Sequence, residues 1–300
     1  MKKQVLAFAV MLLAAGSALA QAGDTLAKIK ASGSVTLGVR ESSGALGHTL
    51  GDGKYVGFHT EMGERVLADI RKQLHLAKLE IKYQPVTSQN RIPLVTNGTV
   101  DLECGSTTNN AARQKDVAFA VTTYVEEVRI AVKANSGIKS IKDLNGKTVA
   151  TTTGTTSVQA MRRHERARGV DFTEVFGKDH ADSFLLLQTG RADAFVMDRQ
   201  ILAGNIAAAP DPAAYRIVGE VLAVEPIAIM LRKDDPAFKK AVDDSLVAMM
   251  KSGEMARLYD KWFVEPVPPL NKSLGLPASD ATRAAWARPD DRPVEDAAAR

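Results

Sequence analysis

Two polar segments of this chain gather hydroxyls, amides and an arginine, with no nucleophile and base beside them. The first, at 87–93, reads Thr-Ser-Gln-Asn-Arg-Ile-Pro, and the second, at 103–110, reads Glu-Cys-Gly-Ser-Thr-Thr-Asn-Asn. Each reads as a short strand end running into a helix start, where the first backbone N–H groups lack intrahelical partners. Such places bind anions. The chemistry they suggest is retention of a small anionic molecule rather than its transformation.

Other segments share the design of strand, polar turn, helix. Arg40 follows an apolar run at 35–39, Thr155 and Thr156 lie in the Thr-Gly-Thr-Thr-Ser turn at 153–157, and Asp198 follows Phe195, Val196 and Met197. Ligands of open α/β sheets sit at the carboxyl ends of strands. That rule would put Arg40, Ser88 with Arg91, Ser106 with Thr108, Thr155 with Thr156, and Asp198 around one cleft. Ser, Thr, Asn and Asp also cap helices for their own sake, so each segment alone reads equally as turn chemistry. Taken together, with arginines in three of the segments, they read as a cleft.

The elements that would position these groups alternate between strand and helix, the pattern of an α/β fold with largely parallel sheets. Asp24 caps a helix ending at Gly33, and residues 44–55 form a glycine-rich loop or hairpin. Met62, Val66, Ile70 and Leu74 recur at helical spacing within 58–74. Strands are expected at 79–83, 100–103, 148–151 and 227–231, and a short helix at 109–115. A new region starts at 128–133. The alanine-rich run at 203–214 reads as a surface helix and loop, and amphipathic helices are expected at 237–250 and 254–263. No internal repeat is visible.

Bulk properties exclude several classes. Lys2, Lys3, an apolar run at 5–15 and an Ala-Leu-Ala at 18–20 read as a signal peptide over residues 1–20, cleaved near Ala20. The apolar run is shorter than the about 20 residues a bilayer span needs. The remaining chain of about 280 residues is long enough for two lobes. Its single cysteine, Cys104, cannot form an internal disulfide and reads as a small buried residue. The formal net charge of +4 falls to about +2 once Lys2 and Lys3 are removed. Without a basic run or aromatic interleaving, nucleic acid is not an expected partner. The 5 histidines show no metal-ligand spacing, so no metal and no cofactor is expected.

Several motifs carry a family resemblance. Val-Arg-Glu-Ser-Ser (39–43), the segments at 87–93, 103–110 and 153–157, Lys-Asp-His (178–180) with Asp182 and Ser183, and Leu-Arg-Lys-Asp-Asp-Pro (231–236) are similar to the polar amino-acid solute-binding proteins of ABC importers, specifically their glutamate/aspartate branch. The likeness runs from about residue 24 to 269. It implies a two-lobed, type II periplasmic binding protein, each lobe a mostly parallel sheet flanked by helices, joined by two hinge strands. The first lobe would combine 21–127 with 227–287, the second would span 128–226, and 288–300 would be a flexible tail. Crossovers are expected at 127–131 and 226–230.

The resemblance also implies roles. Arg113 would pair the α-carboxylate, with Ser106, Thr108 and the Thr155–Thr156 turn adding hydrogen bonds. Asp198 would take the α-ammonium, and Arg40, Ser88, Arg91 and His180 would select a side-chain carboxylate. The implied ligand is L-glutamate or L-aspartate, and the implied partner of a monomeric, periplasmic protein is a membrane permease. Two departures stand out: the loop at 44–50 lacks the aromatics usual in the family, leaving His48 as a substitute, and Arg199 stands where a second acidic residue is common. Two other classes share these features: a periplasmic dehydratase acting on prephenate-like acids, and a sensor that reports its ligand to a membrane receptor.

Overall fold

A computed structural model describes residues 24–267 and 271–294; the expected leader lies outside them. The first lobe opens with α1 (Thr25–Ser32), β1 (Ser34–Val39) and a small antiparallel sheet of β2 (Ser42–Ser43), β3 (Gly47–Gly51) and β4 (Lys54–Val56). It continues through α2 (Phe58–Gln73), β5 (Glu80–Pro85), α3 (Arg91–Thr96), β6 (Leu102–Glu103) and β7 (Val117–Phe119). Local chemistry explains these elements. The Asp24 carboxylate accepts from Ala27 N at 2.8 Å and Gly33 ends α1 in the left-handed region. Phe58, Met62, Val66 and Ile70 bury one face of α2.

The second lobe comprises β8 (Tyr124–Lys133), β9 (Thr148–Thr152), α4 (Thr156–Arg168), β10 (Thr173–Gly177), α5 (His180–Gln188), β11 (Ala194–Asp198), α6 (Arg199–Ala208) and β12 (Tyr215–Ile227). The chain then returns to the first lobe with β13 (Met230–Arg232), α7 (Pro236–Lys251), α8 (Glu254–Phe263) and α9 (Asp280–Ala287).

Each lobe holds a five-stranded sheet, ordered β5-β1-β6-β13-β7 in the first and β10-β9-β11-β8-β12 in the second. Four strands of each run the same way and one is reversed, β13 in the first and β8 in the second. Antiparallel pairing follows from the route, since the chain enters and leaves the second lobe along neighbouring strands. The cores are separate. α2, α7 and α8 cover one face of the first sheet, and two clusters flank the second. Tyr259 and Phe263, stacked with centroids 4.1 Å apart, pack against Tyr124 at the start of β8 and, edge-on, against Phe58. The strand that leaves the first lobe is thus anchored in that lobe's core.

Four expectations need correction. From Val128 onward β8 is already paired with β11, so the first crossing lies before the expected 127–131, in the stretch where Tyr124 faces Ile227 and Glu126 faces Glu225. The strand expected at 227–231 is broken: Ile227 ends β12 and Met230 starts β13. The short helix expected at 109–115 is only a 3-10 turn, Arg113–Lys115. Beyond α9 the chain, expected to be loose from 288, is bound as far as Val294. Asp290 O accepts from Thr122 N at 2.9 Å, and Val294 N donates to Asn109 O at 3.0 Å. Cys104 is buried as expected.

Candidate ligand-binding cleft

A small, tightly closed cavity of about 10 Å³, room for about one water, lies between the lobes, lined by Ser88, Arg91, Ser106 and Thr108 of the first and Thr155, Thr156, His180, Met197 and Asp198 of the second. All but Met197 are residues singled out by the sequence. The other two stand just outside. Arg40, fully buried, lies behind the lining and donates to Ser106 Oγ at 3.2 Å and Asp179 Oδ1 at 2.6 Å. Arg113 sits toward an outer groove, where Nη1 donates to Thr108 O at 2.9 Å and Nη2 to Gly154 O at 3.2 Å. It therefore bridges the lobes through backbone carbonyls.

The lining is built at strand ends. Between β5 and α3, Asn90 Oδ1 accepts from Thr87 N at 2.8 Å and Thr87 Oγ1 accepts from Asn90 N at 3.3 Å. This turn consumes the outer polar pair and leaves Ser88 and Arg91 facing inward. Both are buried, and Ser88 Oγ, Arg91 Nε and Arg91 Nη1 have no partner among the described residues. A buried charge without a partner is costly, so this end of the cavity is arranged for an anion. Burial, followed by the nearby Arg113, lowers Arg91 to about 9, with Arg40 adding to the same effect.

At the other end Asp198 occupies the N-cap position of α6, yet its side chain makes no cap hydrogen bond. Thr155, at the N-cap of α4, makes none either; its hydroxyl donates to Thr152 O at 2.8 Å. Capping alone does not explain these residues. Burial pushes Asp198 up to about 7, helped by Glu225 and opposed by Arg91, Arg113 and Arg40. An ammonium group is the partner that would hold it ionised.

His180 is buried, and burial and then Arg40 hold it down to about 3, so it is neutral. Arg40 Nη2 donates to its Nε2 at 3.1 Å, which makes Nδ1 the protonated nitrogen, donating to Thr152 Oγ1 at 3.0 Å. Both ring nitrogens are engaged by the protein. Its neutral ring fixes Arg40 and adds no positive charge.

The lobes touch closely. Ser42 Oγ donates to Asp179 Oδ2 at 2.9 Å, and Ala45 N donates to Gln200 Oε1 at 3.0 Å. Gly154, at φ +80°, faces Ser88 and Gln89 of the opposite lobe, and a Cβ there would stand 2.9 Å from Gln89 Cα. This is a closed arrangement that only a residue without a side chain permits at Gly154. His48 does not enter the cavity lining. It rests edge-on against Trp262, centroids 6.2 Å apart.

Sequence reasoning missed three residues of this region. Asp179, the partner of Arg40, lay within the Lys-Asp-His motif and could have been found there. Glu225, which accepts from Thr108 Oγ1 at 2.7 Å and from Thr156 Oγ1 at 2.6 Å, lies in a strand that shows no clear period. Met197 had no polar signal. Among the described residues there is no group of three or more His, Cys, Asp or Glu that could hold a metal ion, and no helix is long and apolar enough to cross a membrane.

A two-lobed α/β molecule closing on a polar interlobe cavity defines the extracytoplasmic binding proteins. Over residues 35–265 the chain matches bacterial extracellular solute-binding proteins, family 3, and it belongs to that family. It is 41% identical over 297 residues to the glutamate/aspartate import solute-binding protein of Salmonella typhimurium, covering 97% of this chain and 98% of that one. It is likewise 41% identical to the L-glutamate/L-aspartate-binding protein of Pseudomonas aeruginosa, covering 90% of each. Among solved structures it is similar to an ancestral amino acid-binding protein that is a precursor of cyclohexadienyl dehydratase. There the TM-score is 0.69 and the identity 26%, covering 80% of this chain and 99% of that one.

Proposed function

We propose that this protein captures L-glutamate or L-aspartate in the interlobe cavity and delivers it, as a monomer in the periplasm, to the membrane permease of an ABC importer. One observation carries the reading: unpaired Ser88 and Arg91 atoms at one end of a closed cavity face an uncapped Asp198 at the other. An anion-shaped end and a cation-shaped end fit an amino acid whose side chain bears a carboxylate. Arg91 and Ser88, backed by Arg40 and its neutral partner His180, take the side-chain carboxylate, since a guanidinium fork matches it bidentately. Asp198 takes the α-ammonium. Arg113, at the mouth beside the first turn of α4, takes the α-carboxylate together with Ser106 and Thr155. The ligand then touches both lobes and favours the closed form over the open one.

Calorimetric titration tests this. L-glutamate and L-aspartate are expected to bind with Kd near micromolar or tighter, about −8 kcal/mol or better, and L-glutamine and L-asparagine far more weakly. Recovery of the ligand unchanged after long incubation with the protein is the expected companion result. Equal binding of glutamine and glutamate would overturn the assignment of Arg91, and consumption of the ligand would make the protein an enzyme.

A further inference from the structure

We propose that Glu225 builds the ammonium end of the cavity: by taking the hydroxyl hydrogens of Thr108 and Thr156 it leaves both oxygens, with Asp198, as acceptors for a cation. This rests on the reading of the cavity as an amino-acid site.

The placement follows from strand register. Asp198 of β11 lies opposite Val128 of β8, Val128 lies opposite Ala223 of β12, and Glu126 lies opposite Glu225. Residues directly opposite share a face of a sheet, as do alternate residues along a strand. Asp198, Glu126 and Glu225 therefore project from one face, where the two lobe-crossing strands run beneath the cavity. Glu225 Oε2 receives hydrogen bonds from both lobes: Thr108 Oγ1 at 2.7 Å and Thr156 Oγ1 at 2.6 Å. The two hydroxyl oxygens stand 3.1 Å apart and both residues line the cavity.

A threonine hydroxyl has a single hydrogen. With each hydrogen directed at Glu225, what the hydroxyls offer a ligand is lone pairs. A ligand carboxylate placed there would meet acceptors only. An ammonium has three N–H donors, and three acceptor groups belong to residues lining this cavity: Thr108 Oγ1, Thr156 Oγ1 and the Asp198 carboxylate. Electrostatics agree. The charged groups acting on Asp198 and its neighbour Glu126 are Glu225 on β12 and Arg40, Arg91 and Arg113 from the first lobe. Burial is the main reason Asp198 holds its proton up to about 7, and Glu225 is the next. An ammonium arriving between the two acids expels that proton.

The test compares L-glutamate with glutarate, which has both carboxylates and lacks the ammonium, on the wild type, Glu225→Gln and Thr108→Val. Titrations at pH 7 in buffers of different ionisation enthalpy give both affinity and the number of protons exchanged. The wild type is expected to release protons on binding L-glutamate and none on binding glutarate. Glu225→Gln is expected to lower the ratio of glutamate to glutarate affinity at least tenfold and to reduce the proton release. Thr108→Val, which removes one acceptor and keeps Glu225, is expected to weaken L-glutamate about tenfold and leave the glutarate affinity, or its limit, unchanged. Equal weakening of both ligands, or a proton release in Glu225→Gln as large as in the wild type, would overturn the proposal and leave Glu225 as a tie between the lobes. A wild type that binds no L-glutamate would instead defeat the functional reading.

Discussion

In the Asp198→Asn variant a buried carboxylate becomes an amide of the same shape. Asp198 titrates at about 7 in the folded protein against an ordinary 3.8. Between those values the folded state holds a proton that the unfolded chain has released. The stabilisation from this proton is full below about pH 4 and is lost as pH rises through about 7. At about 1.36 kcal/mol per pH unit the whole gap corresponds to ~4 kcal/mol. Of this, the part between pH 5 and pH 7 is ~3 kcal/mol, and opening of the empty cleft hydrates the group and reduces it to about 2 kcal/mol. Asparagine does not titrate, so the variant escapes this loss. Its stability advantage over the wild type is expected to widen by about 2 kcal/mol from pH 5 to pH 8, or roughly 4–8 °C in Tm for a protein of this size.

The assay is a set of thermal melts of both proteins, refolded free of ligand, across that range. The buried neutral histidines His59 and His180 titrate identically in both and cancel in the difference. At the same time the variant is expected to lose L-glutamate binding by at least 2 kcal/mol, roughly thirtyfold or more, because the ammonium loses its charged partner. A pH-independent stability difference, or a variant less stable than the wild type at pH 8, would refute the reasoning.

Arg91→Ala is expected to cost roughly 2–5 kcal/mol of L-glutamate binding and to erase the preference over L-glutamine, whereas Arg113→Ala should weaken both ligands alike; parallel titrations check this. Gly154→Val places side-chain atoms against the Ser88–Gln89 backbone. Small-angle scattering should then show no ligand-induced fall in radius of gyration, while the wild type compacts. Burial lowers His59 to about 4, so its contribution to stability is present above about pH 6.5 and is lost as pH falls toward 4. Replacing it with glutamine should flatten the acid limb of the Tm profile, and an unchanged slope would reject that assignment.

The cavity residues were legible in the sequence because each stands where a strand yields to a helix, a place marked by clustered small polar residues. Periodicity likewise exposed α2, α7 and α8. What escaped was set by contacts between distant segments. β12 carries Arg216, Gly219, Glu220, Glu225 and Pro226 and breaks register between Val218 and Ala223, so no period of two survives. With it went Glu225, whose role depends on threonines from both lobes. Residues 288–294 have the composition of a solvated tail, but their backbone bonds to Thr122 and Asn109 hold them in place. The position of Arg113 at the mouth depends on the Gly154 carbonyl of the opposite lobe, which no local pattern records.

The strand order of the first sheet also fixes a sequence of events in assembly. β13 lies between β6 and β7, although the entire second lobe separates it from them along the chain. Until β13 emerges, β6 and β7 have no common partner, and α7 and α8, which complete the core over α2, do not yet exist. Roughly 110 residues separate the end of β7 from β13, so roughly 5–20 s pass at ordinary synthesis rates of 5–20 residues per second. The second lobe, continuous in sequence, can complete its sheet during that interval; the first cannot. The half-made lobe exposes apolar α2 and unpaired strand edges for the longest time, and is the part of the nascent chain most in need of a holding partner.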